Sequence, residues 1–370
     1  MAVMTDAGNT GSGHGPRIGV LTGDGIGQEI VPGVVQVVDA AFEGVGTTGP
    51  DWAWLPFGRE ALDEHGDAVP AGTIAALEDL DMWILGPHDS ASYPPERRGD
   101  LTPGGRIRKH FDLYANIRPA RALPGVRAVS PRMDLVVVRE NTEGFYADRN
   151  MAVGSGEFMP TPDVALAVGV FTRRAAERIA ESAFALAEQR RRRVTVVHKT
   201  NVLRLTTGLF RDVCAEVGER HPDVEVTYEH VDALTAKLVR SGETFDVIVA
   251  ENMFGDILSD LAGELSGSLG MAASINASAE KVMAQAAHGA APDIAGRNRA
   301  NPTALMLSAA AMLDHAAATG GPGHFARVAD RVRGAVEHTV ASGVATADIG
   351  GQASTSEFVE TVAAHALRGV

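Results

Sequence analysis

Arg17-Ile18-Gly19-Val20-Leu21-Thr22-Gly23-Asp24-Gly25-Ile26-Gly27-Gln28 is a short apolar strand, a glycine turn and the opening of a helix. The helix continues with apolar residues at Ile30, Val34, Val37 and Val38, a helical period. A dinucleotide-binding fingerprint needs glycine at the first, third and sixth positions of such a turn. Counted from Gly23, the sixth position is Gln28, so the turn is not that fingerprint. Two roles stay open for it: holding a phosphate, or supplying the positive φ that a tight turn requires.

Outward from this stretch, further buried strands read at Met82–Leu85, 135–138, 194–197, 224–227 and Val247–Ala250. Helical patterns lie between and after them at 173–189, 203–217, 304–318, His324–Ala341 and 357–367. Strands alternating with helices give an α/β architecture. Residues 1–16 are rich in Gly, Ser and Thr, lack the apolar centre of a signal peptide, and read as a disordered tail.

The composition excludes several function classes. A formal net charge of −14 argues against a general nucleic-acid or membrane binder, which needs a basic footprint. No apolar stretch approaches the roughly 20 residues that span a bilayer. One cysteine, Cys214, excludes an internal disulfide and fits a reducing cytoplasm; its helical setting predicts a buried, inert thiol. The basic run at 190–193 reads as a solvated loop.

Against this acidic background Arg108, Arg118 and Arg139 stand out. Arg139 ends a buried strand, where a guanidinium is costly unless it meets an anion. Three planar forks of this kind ask for a small polyanionic substrate, the alternative being three surface salt bridges. Asp256 and Asp260 are four apart, on one helical face, and repel unless a cation neutralises them. Mg²⁺ or Mn²⁺ suits such oxygen ligands. An N-cap role would explain Asp256 but not Asp260, which reads as lying with Ile257, Leu261 and Leu265 on an apolar face. Lys199 ends another strand and taken alone reads as solvated or salt-bridged; near a metal it can become a base.

Several motifs in order then resemble one family, the β-decarboxylating dehydrogenases (isocitrate, isopropylmalate, homoisocitrate and tartrate/malate dehydrogenases). They are Gly23-Asp24-Gly25-Ile26-Gly27, Asp112-Leu113-Tyr114-Ala115-Asn116-Ile117-Arg118-Pro119, Val138-Arg139-Glu140-Asn141-Thr142-Glu143-Gly144, His198-Lys199-Thr200-Asn201-Val202, Asn252-Met253-Phe254-Gly255-Asp256-Ile257-Leu258-Ser259-Asp260-Leu261 and His288-Gly289-Ala290-Ala291-Pro292-Asp293-Ile294-Ala295-Gly296. The resemblance spans 18–367 and implies that family's mixed-sheet, three-layer α/β fold, distinct from Rossmann. It implies a large cofactor-binding domain (17–113 with 267–370) and a small substrate and dimerisation domain (114–266). By resemblance, Arg108, Arg118 and Arg139 hold the malate carboxylates. Asp256 and Asp260 ligate Mg²⁺ or Mn²⁺, with Asp232 as a third ligand from the other subunit of a homodimer. Lys199 resembles the cross-subunit base for the C2 hydroxyl, and Tyr146 the acid that protonates C3. His288, Gly289, Ala291, Asp293, Ile294 and Asn301 resemble the cofactor loop. Its Asp293-Ile294 pair favours NAD, because a carboxylate bonds ribose hydroxyls and repels a 2′-phosphate, although Arg299 is a cation that could accept one.

The family sets the malate C3 substituent with the residues before Arg108. Gly104 and Gly105 stand where isopropylmalate enzymes carry leucines, and Thr102 where isocitrate enzymes place a serine. The expected reaction is therefore oxidative decarboxylation of a 3-substituted (R)-malate in the cytoplasm, with an isocitrate-like substrate favoured. Isopropylmalate or another alkylmalate, homoisocitrate, tartrate and phosphono-malates are the alternatives, because two glycines leave room. Gln285-Ala286-Ala287-His288 departs from the family's Phe-Glu-Pro-Val-His. A catalytically silent regulatory subunit would have lost matched site residues, and none is missing here.

Overall fold

Alternate residues along the apolar strands feed two separate cores. Ile18, Val20, Met82 and Ile84 join one hydrophobic cluster, whereas Leu21, Trp83 and Leu85 join another on the opposite face. Val136, Val138, Val247 and Val249 likewise face away from Leu135, Val137, Ile248 and Ala250. A strand covered on both faces must be apolar throughout, which is why these runs show no polar alternation. Each such side chain contributes about 1.5–3 kcal/mol on burial.

In the computed structural model, residues 15–97, 101–146, 148 and 150–369 are described; residues 1–14 of the expected tail lie outside them. The strands are β1 (Arg17–Leu21), β2 (Asp51–Trp54), β3 (Met82–Leu85), β4 (Ala115–Arg121), β5 (Asp134–Glu140), β6 (Glu157–Thr161), β7 (Val164–Ala167), β8 (Arg193–His198), β9 (Glu225–His230), β10 (Val247–Ala250), β11 (Ile275–Ala277) and β12 (Val282–Ala284). The helices are α1 (Gly27–Val45), α2 (Gly58–His65), α3 (Ala71–Glu78), α4 (Pro103–His110), α5 (Arg173–Glu188), α6 (Thr206–Gly218), α7 (Val231–Ser241), α8 (Asn252–Ser266), α9 (Thr303–Ala318), α10 (His324–Ala341) and α11 (Thr355–Arg368).

Ten strands form one sheet in the order β2-β1-β3-β12-β11-β4-β5-β10-β8-β9. Its two flanks are parallel, while β12-β11, β11-β4 and β4-β5 pair antiparallel in the middle. The mixed three-layer α/β fold expected from the sequence is present. Sequence periodicity alone missed β4, because Arg118 and Pro119 interrupt its apolar pattern, and missed the three-residue strands β11 and β12.

The glycine turn closes backbone on backbone. Gly23 and Gly25 have φ of 70° and 55°, and a Cβ on either would lie 2.1 Å from the carbonyl oxygen of Pro87 or Ala290. Only glycine meets both demands. The Asp24 N–H donates to Pro87 at 2.7 Å and the Ile26 N–H to Ala290 at 2.9 Å. Asp24 itself accepts from the Arg59 and Asp89 amides and from the Tyr93 hydroxyl. The turn therefore joins β1 to the 288–301 loop.

The basic run at 190–193 is not simply a solvated loop. Arg190 donates to the buried Asp246 at 2.8 Å and to Asp134 at 2.7 Å, pinning the start of β10 to that of β5. Cys214 is fully buried, and burial pushes its thiol up, as an inert core cysteine requires.

Candidate active site

Asn116 on β4 stands opposite Arg139 on β5, and Arg118, two residues along, shares the face of Asn116. Arg118 is buried; its Nε donates to Asn116 Oδ1 at 2.5 Å and its Nη1 to Ser259 Oγ at 2.8 Å. Arg139 is buried too, and its Nε and Nη2 donate to Asn252 Oδ1 at 3.0 and 2.7 Å. Helix α8 reaches these strands because residue 255 is glycine: a Cβ there would lie 2.7 Å from the Arg139 side chain.

The two arginines converge on the aspartates of α8. Arg139 Nη1 donates to Asp256 Oδ1, and the Tyr146 hydroxyl donates to Asp256 Oδ2. Arg118 Nη1 lies 3.2 Å from both Asp256 Oδ1 and Asp260 Oδ1. The Arg139 guanidinium is 5.0 Å from the centre of the Tyr146 ring. Arg118, Arg139, Tyr146, Asp256 and Asp260 thus form one cluster.

Two expectations for α8 need correction. Its N-cap is Glu251, whose carboxylate accepts from the Met253 and Phe254 amides, so Asp256 lies inside the helix and is no cap. Nor is Asp260 on an apolar face. The buried side of α8 is Phe254, Leu258, Ala262 and Leu265, while Asp260 and Ile257 are exposed beside it.

Electrostatics within the cluster are tightly balanced. Burial, and then the neighbouring Arg139 charge, lower Arg118 to about 10. Burial works against ionising Asp256, but Arg139, Arg118 and the Tyr146 hydroxyl outweigh it and hold its carboxyl below the ordinary value. Asp260 moves the other way, because burial and its neighbour Asp256 outweigh Arg118. Burial raises Tyr146 against the opposing pull of the Arg139 charge, and its hydroxyl donates to Asp256.

Lys199 and Asp232 pair with each other at 2.7 Å. Among the described residues of one chain, no three carboxylate or imidazole groups come together as a metal site, so this subunit's Asp232 does not join Asp256 and Asp260. Asp256 and Asp260 still suit a hard divalent cation. Both carboxylates reach a single guanidinium nitrogen, so their oxygens already converge.

Arg108, on α4, donates from Nη2 to Gln285 Oε1 at 2.6 Å. The Thr102 oxygen caps α4, accepting from the Gly105 amide at 3.2 Å; its hydroxyl proton remains free to donate. Thr102 also lines a cavity of about 880 Å³ with Tyr93, Leu101 and Arg106. The space expected above Gly104 is filled. An ideal Cβ on Gly104 would lie 2.9 Å from Nε2 of His88.

In the loop at 288–301, expected to hold the cofactor, Ala291 has a φ of 41°, Asp293 is exposed and Ile294 half-buried. His288 Nδ1 lies 3.0 Å from the Gly289 carbonyl oxygen. Asn301 is buried and donates to Asp348 at 2.9 Å. Glu29 of α1 accepts from the Gly296 and Asn298 amides, fixing the loop to the helix that follows the glycine turn. Arg299 is exposed beside a separate cavity of about 430 Å³. Sequence reasoning assigned no role to Asn252, Ser259 or His88; for Asn252 the signal was its place in a quoted motif.

The sequence model described as isocitrate/isopropylmalate dehydrogenase matches residues 17–362. The chain belongs to the isocitrate/isopropylmalate dehydrogenase family. It is 39% identical to 3-isopropylmalate dehydrogenase of Archaeoglobus fulgidus over 94% of this chain and 98% of that protein. It is 38% identical to 3-isopropylmalate/3-methylmalate dehydrogenase of Methanocaldococcus jannaschii, with the same coverage. The crystal structure of isocitrate dehydrogenase from Methylococcus capsulatus superposes with a TM-score of 0.83 at 33% identity, covering 95% of this chain and all of that one. As a member of the isocitrate/isopropylmalate dehydrogenase family the protein is an oxidoreductase of the decarboxylating dehydrogenase class, a class that in general uses NAD and a divalent metal. No helix among the described residues is long and apolar enough to cross a membrane.

Proposed function

We propose that the protein carries out NAD- and metal-dependent oxidative decarboxylation of a 3-substituted (R)-malate with a polar C3 substituent, as in isocitrate. The observation that carries this reading is the convergence of Arg118, Arg139, Tyr146, Asp256 and Asp260, with Arg108 presented from α4. Three arginines against two aspartates leave one positive charge, and a divalent cation held by Asp256 and Asp260 adds two more. That positive sum suits the two malate carboxylates of any substrate of this family; the polar C3 substituent is favoured by the Thr102 hydroxyl at the start of α4.

Arg118 and Arg139 grip carboxylates through bidentate forks in place of their present aspartate partners. Asp256, Asp260 and the partner subunit's Asp232 would hold the divalent cation, which when bound would supply stabilisation of negative charge developing on the substrate. Lys199 of the partner subunit would take the C2 hydroxyl proton, and NAD, when bound, would supply the hydride acceptor. Carbon dioxide then departs from the β-keto acid, and the Tyr146 phenol gives its proton to C3. The loop with His288, Gly289, Ala291, Asp293, Ile294 and Asn301 holds the adenosine half of NAD, with Asp293 accepting from ribose hydroxyls. Residues 17–113 with 267–370 serve the cofactor, and 114–266 serve substrate and dimerisation. The cytoplasm is the compartment that suits this chemistry.

A second reading, 3-isopropylmalate as substrate, is favoured by the names of the curated relatives. Initial rates of NADH and NADPH formation with Mn²⁺ on isocitrate, isopropylmalate, homoisocitrate, malate and tartrate test both. The expected result is NAD-linked turnover highest on isocitrate or homoisocitrate. Isopropylmalate in first place would move the assignment to the second reading. Silence on all five would leave a regulatory subunit.

A further inference from the structure

Gly104 and Arg108 are four residues apart on α4 and therefore share a face. Two side chains from elsewhere cover that face. One is Gln285, which follows β12 and accepts from Arg108 at 2.6 Å; its Nε2 lies 3.6 Å from the ideal Cβ of Gly104. The other is His88, which follows β3 and the Gly86-Pro87 stop. Its Nε2 and Cδ2 lie 2.9 and 3.3 Å from that same point. The imidazole thus occupies the volume that any side chain at 104 would need.

The ring is held in place. Phe57 meets it edge-on, with centroids 6.4 Å apart, and the next residue is tied down by its amide donating to Asp24. Yet neither ring nitrogen makes a hydrogen bond among the described residues, and Nδ1 is buried. Burial, and then the Arg108 charge, lower His88 to about 4, so at neutral pH it is an uncharged group that can both donate and accept. The buried, unpartnered atom is Nδ1, while Nε2 is the ring nitrogen turned towards the α4 face beside Gly104 and Gln285.

We propose that His88 is the specificity-determining residue of the pocket for the malate C3 substituent: with Gln285 it forms a hydrogen-bonding wall that selects an oxygen-bearing substituent over an alkyl group. This rests on the malate-oxidising function proposed above. A wall built to hydrogen-bond rejects a ligand that cannot, because its own polar groups are then left unpaired, whereas an apolar slot discriminates weakly. Glycine at 104 is a consequence of the same design, since a leucine there and the imidazole exclude each other.

The test is the ratio of kcat/KM on isocitrate to that on isopropylmalate, measured with saturating NAD and Mn²⁺. In His88→Leu the ratio is expected to fall at least about tenfold, mainly through KM. His88→Gln, which keeps a donor and an acceptor, should recover much of it, and His88→Met, apolar and of similar length, serves if the leucine variant does not fold. Gly104→Leu should lower turnover on both substrates, and adding His88→Ala should restore it on isopropylmalate. The proposal is overturned by a wild type that prefers isopropylmalate, by a ratio that stays within about twofold in the apolar His88 variant that folds, or by an effect confined to the KM for NAD. A wild type silent on every malate removes the proposed function and this inference together; an active wild type with an unmoved ratio removes the inference alone.

Discussion

Asp256 carries the greatest electrostatic load of any residue in the cluster. It separates two buried guanidiniums and accepts from Tyr146. Removing it leaves Arg118 and Arg139 facing each other, whereas Asp260 is half-exposed and meets Arg118 alone. Asp256→Ala is therefore expected to cost about 2–3 kcal/mol in urea unfolding of the metal-free protein, towards the low end for breaking a buried pair because the carboxylate is partly exposed. Asp260→Ala should cost less than about 1 kcal/mol. Equal losses would show that Asp256 does not hold the arginines. The aspartate pair was legible because a spacing of four defines one helical face. Its partners were not, since Arg118 and Asp260 are 142 residues apart in the chain.

At the scale of elements, the cap of α8 sets where Asp256 and Asp260 project. Glu251 is buried, and burial raises it to about 7 from an ordinary value of 4.5, against the pull of two backbone N–H groups. Folding thus favours its protonated form. The stability this contributes is full below pH 4.5 and is lost as pH rises towards 7. Glu251→Gln lacks that titration but keeps an acceptor for the cap. The stability of this variant relative to wild type should therefore rise on going from about pH 5 to about pH 8, by on the order of 1–3 kcal/mol. Parallel urea titrations at several pH values measure it, and a flat difference would mean that the folded protein does not perturb Glu251. The helices were mostly legible from apolar spacing, as at 173–189 against Arg173–Glu188. The start of α8 was not, because its cap is Glu251, a residue type outside the usual Ser, Thr, Asp and Asn caps, and Gly255-Asp256 reads as a later start.

For the whole molecule, the question is what completes the site. Leu205 is 87% exposed, Val202 68% and Ile257 55%, close in sequence to Lys199 or Asp256. The β6-β7 hairpin adds exposed Phe158, Met159 and Leu166. Apolar surface of this extent fits an interface with a second copy. If Lys199 serves the partner's aspartates, a Lys199→Met chain and an Asp256→Asn chain, each inactive alone, form mixed dimers with one intact site. Re-equilibrating equal amounts should restore about a quarter of wild-type activity, the share expected for random pairing in a two-fold dimer. No recovery, in a sample where mass spectrometry confirms mixed dimers, would place Lys199 and Asp256 in the same subunit's site.

The longer apolar strands and helices, the exclusion of the dinucleotide fingerprint by Gln28 and the facing of Asp256 and Asp260 were determined by the chain on its own. Repeats of two and 3.6 residues are local, and they survive without knowledge of any neighbour. Tertiary structure alone decided that Asp256 meets Arg139, that Arg190 reaches Asp246 and that His88 fills the space left by Gly104. Those contacts depend on strand register and on where a helix lands. Both are set by packing between segments far apart in sequence, and no local spacing encodes them.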